Sequence, residues 1–422
     1  MMKKIKLGEV LDVKRGTSLS GKYYKTEGDY IRLTLGNFNY PSSGWKENKS
    51  KDNLYYDGPI TPEYIMSKGD IITPLTEQVR GLLGNTATVP EDNLYIQSGD
   101  IGKVIPHSDV LYGRFAYYLI SSRIVKKQLD ACAQQTKIRH TSPDKIKNCA
   151  AFIPDKISEQ IKIASILDAI NSKIELNNRI NDNLAQMLRL LYEQWFYRFE
   201  FPNEQNLPYN RANGELEWND KLKRRIPKGW KVQTMLSNEL FSVISSGVDR
   251  FSTKKYYATA DIIGSSIGEG SDIEYETRES RANMQPVINS VWFAKMKNSI
   301  KHLFLNKEMS SFVDNSILST GFYGLKCNEI SFEYIASVVS APIFEITKDR
   351  LSHGATQQGI GDDDMANITL LIPDDTTLRK YHEATNGFFA KISNNILENK
   401  RLIAIRNFLL PLLMNGQATI AE

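Results

Sequence analysis

Side chains suited to gripping nucleic acid gather in a few short stretches of this sequence. Reading a duplex takes Lys and Arg against phosphates, and Arg, Asn or Gln where paired hydrogen bonds meet a base edge. Residues 76–81, TEQVRG, follow a β-like run and offer Gln78 and Arg80. Residues 133–141, AQQTKIRHT, offer Gln134, Gln135, Lys137 and Arg139. Later, residues 251–257 offer Lys254, Lys255 and Tyr256, and Arg278, Arg281 and Asn283 precede a strand-like run at 287–293. Lys295, Lys297 and Lys301 follow it, then Gln357 and Gln358. Each is also an ordinary solvated residue in the alternative reading, and Tyr256, Trp45 and Trp292 suit a core as well as a base stack.

Residues for catalysis are scarce. There is no G-x-x-x-x-G-K-[ST] loop to cradle a nucleotide phosphate. Pro154-Asp155 and Pro373-Asp374 resemble the start of a PD…(D/E)xK nuclease, but no acidic-x-Lys follows on a strand; a long helical pattern does. Asp362, Asp363 and Asp364 are adjacent, and adjacent carboxylates do not converge on one ion in a regular element, so a helix start or solvated turn is expected. The five histidines lack ligand spacing; His140 and His353 lie near the glutamine-bearing stretches and are open as DNA contacts. Cys132, Cys149 and Cys327 are scattered and odd in number, which fits a reducing compartment without a zinc site. No catalytic residue and no metal of its own is expected.

The positioning elements begin with residues 158–197, a stretch free of proline and glycine. Apolar residues recur there at alternating steps of four and three: Ile163, Leu167, Ile170, Ile174, then Leu184, Leu188, Leu191 and Trp195. That spacing predicts a heptad seam on a helix of roughly 60 Å, with Ser158 as N-cap. Asn177 and Asn181 interrupt the seam. Buried Asn in a seam costs stability and fixes register, so a specific partner helix is expected; the plainer alternative is a long core helix with a polar patch. Residues 378–414 supply a partner. With Asn399 placed under Asn177, Phe389, Ile392, Ile396, Ile403, Leu410 and Leu413 fall on the same seam. An antiparallel pair would bring Asn177 and Asn399 into a hydrogen bond that sets its register. Pro411 is expected to kink or end the second helix, at about 3 kcal/mol if interior.

The globular parts repeat as well. Leu7…Val13…Gly16 matches Leu236…Val243…Gly247, Lys22-Tyr23-Tyr24 matches Lys255-Tyr256-Tyr257, and Phe152-Ile153-Pro154-Asp155 matches Leu371-Ile372-Pro373-Asp374. A period of about 220 residues means a duplicated domain, not a solenoid. The expected fold class is α/β (α+β): two similar heads separated by two long antiparallel coiled-coil helices. The expected divisions are head 1 at 1–155, first helix 156–198, connector 199–229, head 2 at 230–375 and second helix 376–416. Within head 1 one helical stretch is expected over roughly 111–132. The chain of 422 residues is 41% hydrophobic and 24% charged, and its net charge of +4 excludes a histone-like binder. DNA contacts would rest on local patches. The first residues, MMKKIKLGEVLDV, lack the apolar core of a signal peptide, and no run approaches the ~20 apolar residues of a membrane span, so a cytoplasmic protein is expected.

These marks carry a family resemblance: GEVLDVKRG at 8–16, IPDKISEQIKIASIL at 153–167, ELEWNDKLKRRIPKGWKV at 215–232, and GATQQGIG at 354–361. In this order, over essentially the whole chain, the sequence resembles the specificity subunit of type I restriction–modification systems. The resemblance implies two target-recognition domains, each reading one half of a split duplex target, and helices that dock two methyltransferase subunits. Two motor–nuclease subunits join for cleavage. S-adenosylmethionine, ATP and Mg2+ would serve those partners, and this chain would need no cofactor. Consistently, it has no Pro-Pro pair and so lacks the Asn/Asp-Pro-Pro-aromatic loop of adenine methyltransferases. The second helix opens with Thr376-Thr377 where the first has Ser158-Glu159-Gln160, so the two docking faces differ. Two alternatives remain: the same role in a related system outside type I, and a two-headed adaptor whose heads bind proteins.

Overall fold

The computed structural model describes residues 2–40, 42–49, 52–133, 139–354 and 358–418. The chain forms two compact units: Met1–Asn171 with Ala404–Glu422, and Ser172–Ile403.

In the first unit, strands Leu11–Arg15, Ile101–Pro106, Ile71–Pro74 and Ala87–Thr88 lie side by side in that order, all antiparallel. Leu11 and Val13 are buried while Asp12 and Lys14 are exposed, the alternation of a half-buried strand. Val13 faces Val104, and Val104 faces Ile71, so β-branched side chains form a row across the sheet. Phe115, Leu119, Val125 and Leu129 of two helices, Gly113–Ile120 and Arg123–Cys132, belong to the core built on this row. The single helical stretch expected over 111–132 is therefore divided. Ser121 Oγ donates to the carbonyls of Tyr117 and Tyr118, and Ser122 is extended at ψ 151°, which ends one helix and starts the next. A smaller sheet sets Ile31–Arg32 antiparallel to Tyr55–Tyr56 and parallel to Tyr95–Ile96. The strand ending in Ile153-Pro154 pairs with the N-terminal strand, Lys3 opposite Ile153.

The second unit repeats the plan. Phe241–Val243, Phe322–Cys327, Ser290–Ala294 and His302–Leu305 form an antiparallel sheet in the same order, followed in sequence by helices Phe332–Ser340 and Pro342–Leu351. Lys231 lies opposite Ile372, as Lys3 does opposite Ile153. One element of the expected repeat is corrected. Thr253–Tyr257 is antiparallel to Ser271–Glu274 and parallel to Ser316–Ser319, so its counterpart is Ile31–Arg32 rather than the segment holding Tyr23 and Tyr24. Short tyrosine-bearing strands look alike in sequence; their pairing separates them. Residues 199–229 are more than a connector: Leu216–Asn219 and Arg224–Pro227 form a hairpin, and Phe199, Phe201 and Ile226 are buried in the core with Trp230.

Two long helices link the globular regions. The first is Ile157–Tyr192, extended by a π turn at Glu193–Tyr197. It begins one residue before Ser158, which lies inside the first turn and not at the N-cap. The second, Asp375–Met414, runs through Pro411 to its end. A proline this close to the terminus removes one hydrogen bond without breaking the helix. The ends of the seam serve the heads. Ile163 and Leu167 lie in the first unit's core with Leu413 and Met414, whereas Leu188 and Trp195 lie in the second unit's core with Leu378, Tyr381 and Phe389. Within the second unit the helices meet through amides. Asn177 Nδ2 donates to Asn399 Oδ1 at 2.9 Å and to Glu398 Oε2 at 2.7 Å, and Asn399 Nδ2 donates to Asn178 Oδ1 at 2.8 Å. Asn395 Nδ2 donates to Asn181 Oδ1 at 2.8 Å. Pairing 177 with 399 and 181 with 395 makes the helices antiparallel there. Among the described residues no helix is long and apolar enough to cross a membrane.

Candidate nucleic-acid interface

In each unit the connection between the third and fourth sheet strands is stitched to the segment that precedes a short helix. In the first unit the Leu75 N–H donates to Asp100 O at 2.7 Å, and the Thr141 N–H donates to Leu75 O at 2.8 Å. This registers Glu77 opposite Arg139 and Thr76 opposite His140. In the second unit the Lys295 N–H donates to Gly321 O at 2.9 Å, and the Ile360 N–H donates to Lys295 O at 3.1 Å. Met296 then bridges Gly359, and Lys297 lies opposite Gln358. The register makes Glu77–Arg139 and Lys297–Gln358 equivalent pairs. Their chemistry differs completely.

Glu77 is buried, and its Oε2 accepts from the N–H groups of Gly81, Leu82 and Leu83 at 2.9–3.0 Å. Its Oε1 accepts from Arg139 at 2.7 Å. Arg139 also donates to Asp130 Oδ1 at 2.6 Å, and so is committed inside the head. Arg80 is exposed, with its guanidinium forked onto Asp130 at 3.1 and 2.6 Å. Hydrogen bonds from Arg80 and Arg139 hold the Asp130 carboxyl well below the usual carboxylate range, and Asp130 in turn raises Arg80. Solvent screens the Arg80 pair, so a phosphate or base edge can compete for that guanidinium. Gln78 is exposed on the same turn. Gln134, Gln135 and Lys137 lie outside the described residues, as does Gln357. Sequence alone does not single out Glu77 and Asp130, because the arginines that pair them, Arg139 with Glu77 and Arg80 with Asp130, are 62 and 50 residues away.

In the second unit Lys297 Nζ donates to Gln358 Oε1 at 2.9 Å. Lys295 is half-buried over the Tyr323 ring, and burial lowers its pKa. Lys301, at the far end of the same connection, donates to the Thr259 carbonyl. Arg281 is exposed beside Gly321, the residue whose carbonyl receives the Lys295 N–H. Asn283 is half-buried, and its carbonyl accepts from the Gly247 N–H. The remaining candidates belong to the neighbouring sheet. Lys255 pairs with Asp272 at 2.9 Å, Lys254 sits over Phe251, and Arg278 stacks on Tyr275 at 4.0 Å. Tyr256 is corrected: only 5% exposed, it clusters with Ala282 and Ile317 and has no ring face free for a base. Trp292 is fully buried. Asp362–Met365 is a short helix, with Asp364 accepting from the Gly361 N–H at its start. Among the described residues no group of three or more His, Cys, Asp or Glu side chains stands ready for a metal ion.

Residues 1–186 match the family model described as the type I restriction modification DNA specificity domain. The type I restriction enzyme MjaIX specificity subunit of Methanocaldococcus jannaschii is 25% identical over 76% of this chain and 72% of its own length. The first 186 residues of this chain, and most of its length at low identity, are thus similar to specificity subunits of type I restriction–modification systems. The HindI specificity subunit of Haemophilus influenzae is 21% identical over 86% of this chain and 89% of its own. A crystal structure of the type I restriction–modification S subunit from M. genitalium aligns with 98% of this chain and 96% of that one, at a TM-score of 0.55 and 16% identity. The specificity-subunit fold therefore extends over both units, beyond the residues that the family model matches.

Proposed function

We propose that this chain is the sequence-reading, non-catalytic subunit of a type I restriction–modification complex. Each head reads one half of a bipartite duplex target. The long helices set the gap between half-sites and dock two methyltransferase subunits, and motor–nuclease subunits join them. Methyl transfer and ATP-driven cleavage, with S-adenosylmethionine, ATP and Mg2+, belong to those partners. The observation that carries this reading is the pair of equivalent stitched loops. One scaffold, used twice, presents Gln78 and Arg80 over a largely buried acid–arginine pair in one head and a lysine–glutamine pair in the other. Sites that read different base steps need that divergence on a constant frame. The domain divisions 1–155, 156–198, 199–229, 230–375 and 376–416 follow this assignment of roles, as does the cytoplasm, where the target DNA lies.

The test is a genome-wide map of adenine methylation in cells carrying the neighbouring methyltransferase, with and without this chain. A split motif of two short half-sites around a constant gap, lost on deletion, is the expected result. Identical maps would overturn the reading and favour heads that bind proteins.

A further inference from the structure

The second head contains a lysine with no exposed surface at all. Lys348, on helix Pro342–Leu351, is 0% exposed, and lysine is almost never buried to this extent without partners. Its Nζ lies 2.6 Å from Glu345 Oε2, off the line of a good hydrogen bond, and donates to Ser299 O at 3.0 Å and Ala294 O at 3.4 Å. Glu345 in turn meets His302 at 2.8 Å. Ala294 is the last residue of the third sheet strand, and Ser299 lies on the returning limb of the loop. One ammonium thus closes residues 294–299 at both ends. Next to it, Asp349 Oδ1 accepts the Asn298 N–H at 3.0 Å, holding the residue that turns the loop at φ 56°.

The first head shows that the fold does not require this charge. Its corresponding helix, Arg123–Cys132, carries buried Leu129 at the same step. There the equivalent connection is held by an anion, Glu77, which accepts three loop N–H groups. The two heads fix one loop differently: in the first a carboxylate gathers three N–H groups, with Lys126 donating to the Asn85 side chain further along, and in the second an ammonium gathers carbonyls. Burying an ion is costly, and an apolar residue packs as well in such a place. What the lysine adds is a fixed loop.

We infer that Lys348 is a positioning residue for target recognition: it holds the loop whose Lys297 fixes Gln358, the amide that can meet a base edge, and so sets the sequence preference of the second head alone. This role rests on the reading of the heads as DNA-recognition domains.

The test uses the whole chain assembled with its methyltransferase. Lys348→Met keeps the length and bulk of the side chain and removes the donor. Asp349→Ala releases the Asn298 N–H while leaving the Lys348 ammonium in place with its nearer partner Glu345. Methylation maps of both variants should show one half of the split motif becoming degenerate while the other half stays sharp. Hydrogen exchange of amides within 295–301 should quicken by about tenfold as the loop opens locally, with exchange in the first head unchanged. Two sharp half-motifs in both variants, or equal loss of both halves in a folded protein, would overturn the inference. If Lys348→Met does not fold, Asp349→Ala decides. A wild-type map without a split motif defeats the DNA reading itself and this role with it; a normal wild-type map with unaltered variants defeats this role alone.

Discussion

Arg80 and Lys297 lie in equivalent connections of the two heads, in different surroundings. Arg80 has the fork geometry that suits a guanine edge and is paired with a half-buried carboxylate. Arg80→Ala should weaken the complex roughly tenfold on cognate DNA and leave scrambled DNA unaffected, as measured by fluorescence titration. Lys297 is a flexible point charge beside Gln358. Lys297→Ala should weaken cognate and scrambled duplexes alike and reduce the salt slope by about one. Equal losses on both duplexes for Arg80→Ala would contradict its base-reading role. Asp374 illustrates a residue whose task is structural. Sequence reading set it beside the nuclease motif, but it caps the second long helix: it accepts the Thr377 N–H and hydroxyl at 2.9 and 2.8 Å and the Trp230 indole N–H at 2.9 Å. Burial opposes its charge, yet the Thr377 and Trp230 bonds outweigh burial and hold its pKa below the usual aspartate value. Its folded pKa is depressed, so its stabilisation is present above the unfolded pKa and is lost as the pH falls through the folded one. Asp374→Ala should cost about 1–2 kcal/mol at neutral pH, measured by urea unfolding, and the deficit against wild type should shrink on acidification.

At the scale of elements, the crossing of the long helices is the least ordinary packing in the chain. Asn177, Asn395 and Asn399 are buried where apolar residues would be more stable. Replacing Asn177 and Asn399 together with Leu should raise the unfolding free energy by about 1–4 kcal/mol, since buried polar sets exchanged for packed apolar ones are often stabilising. The same double variant should lose definition of the gap between half-motifs, because register then rests on apolar contacts and the single Asn181–Asn395 bond. A less stable variant with an unaltered gap would count against the register role. Much of this level was legible in the sequence. Asn177 and Asn399 interrupt heptads, and heptads are local patterns; the two Ile-Pro strands are local as well. What escaped was set by distant pairing. Lys348 reads as a surface residue in TKDR, and its burial follows from Ala294 and Ser299 folding back onto the helix. Arg139 reads as a free cation until Glu77 is brought opposite it. The segment holding Tyr23 and Tyr24 looked like 255–257 because composition carries no record of parallel or antiparallel partners.

At the scale of the whole molecule, duplication with divergence is the functional statement. Both heads keep the same strand order in the sheet that carries the connection, the same helix pair and the same stitched connection, and they differ in the side chains placed on it. The most direct measurement is a hydroxyl-radical footprint of the assembled methyltransferase complex on a duplex carrying its methylated motif. Two protected tracts separated by an unprotected gap are expected, and Lys297→Ala should weaken protection of one tract first. A single continuous tract, or protection no stronger than on scrambled duplex, would contradict a chain that reads two half-sites through two heads.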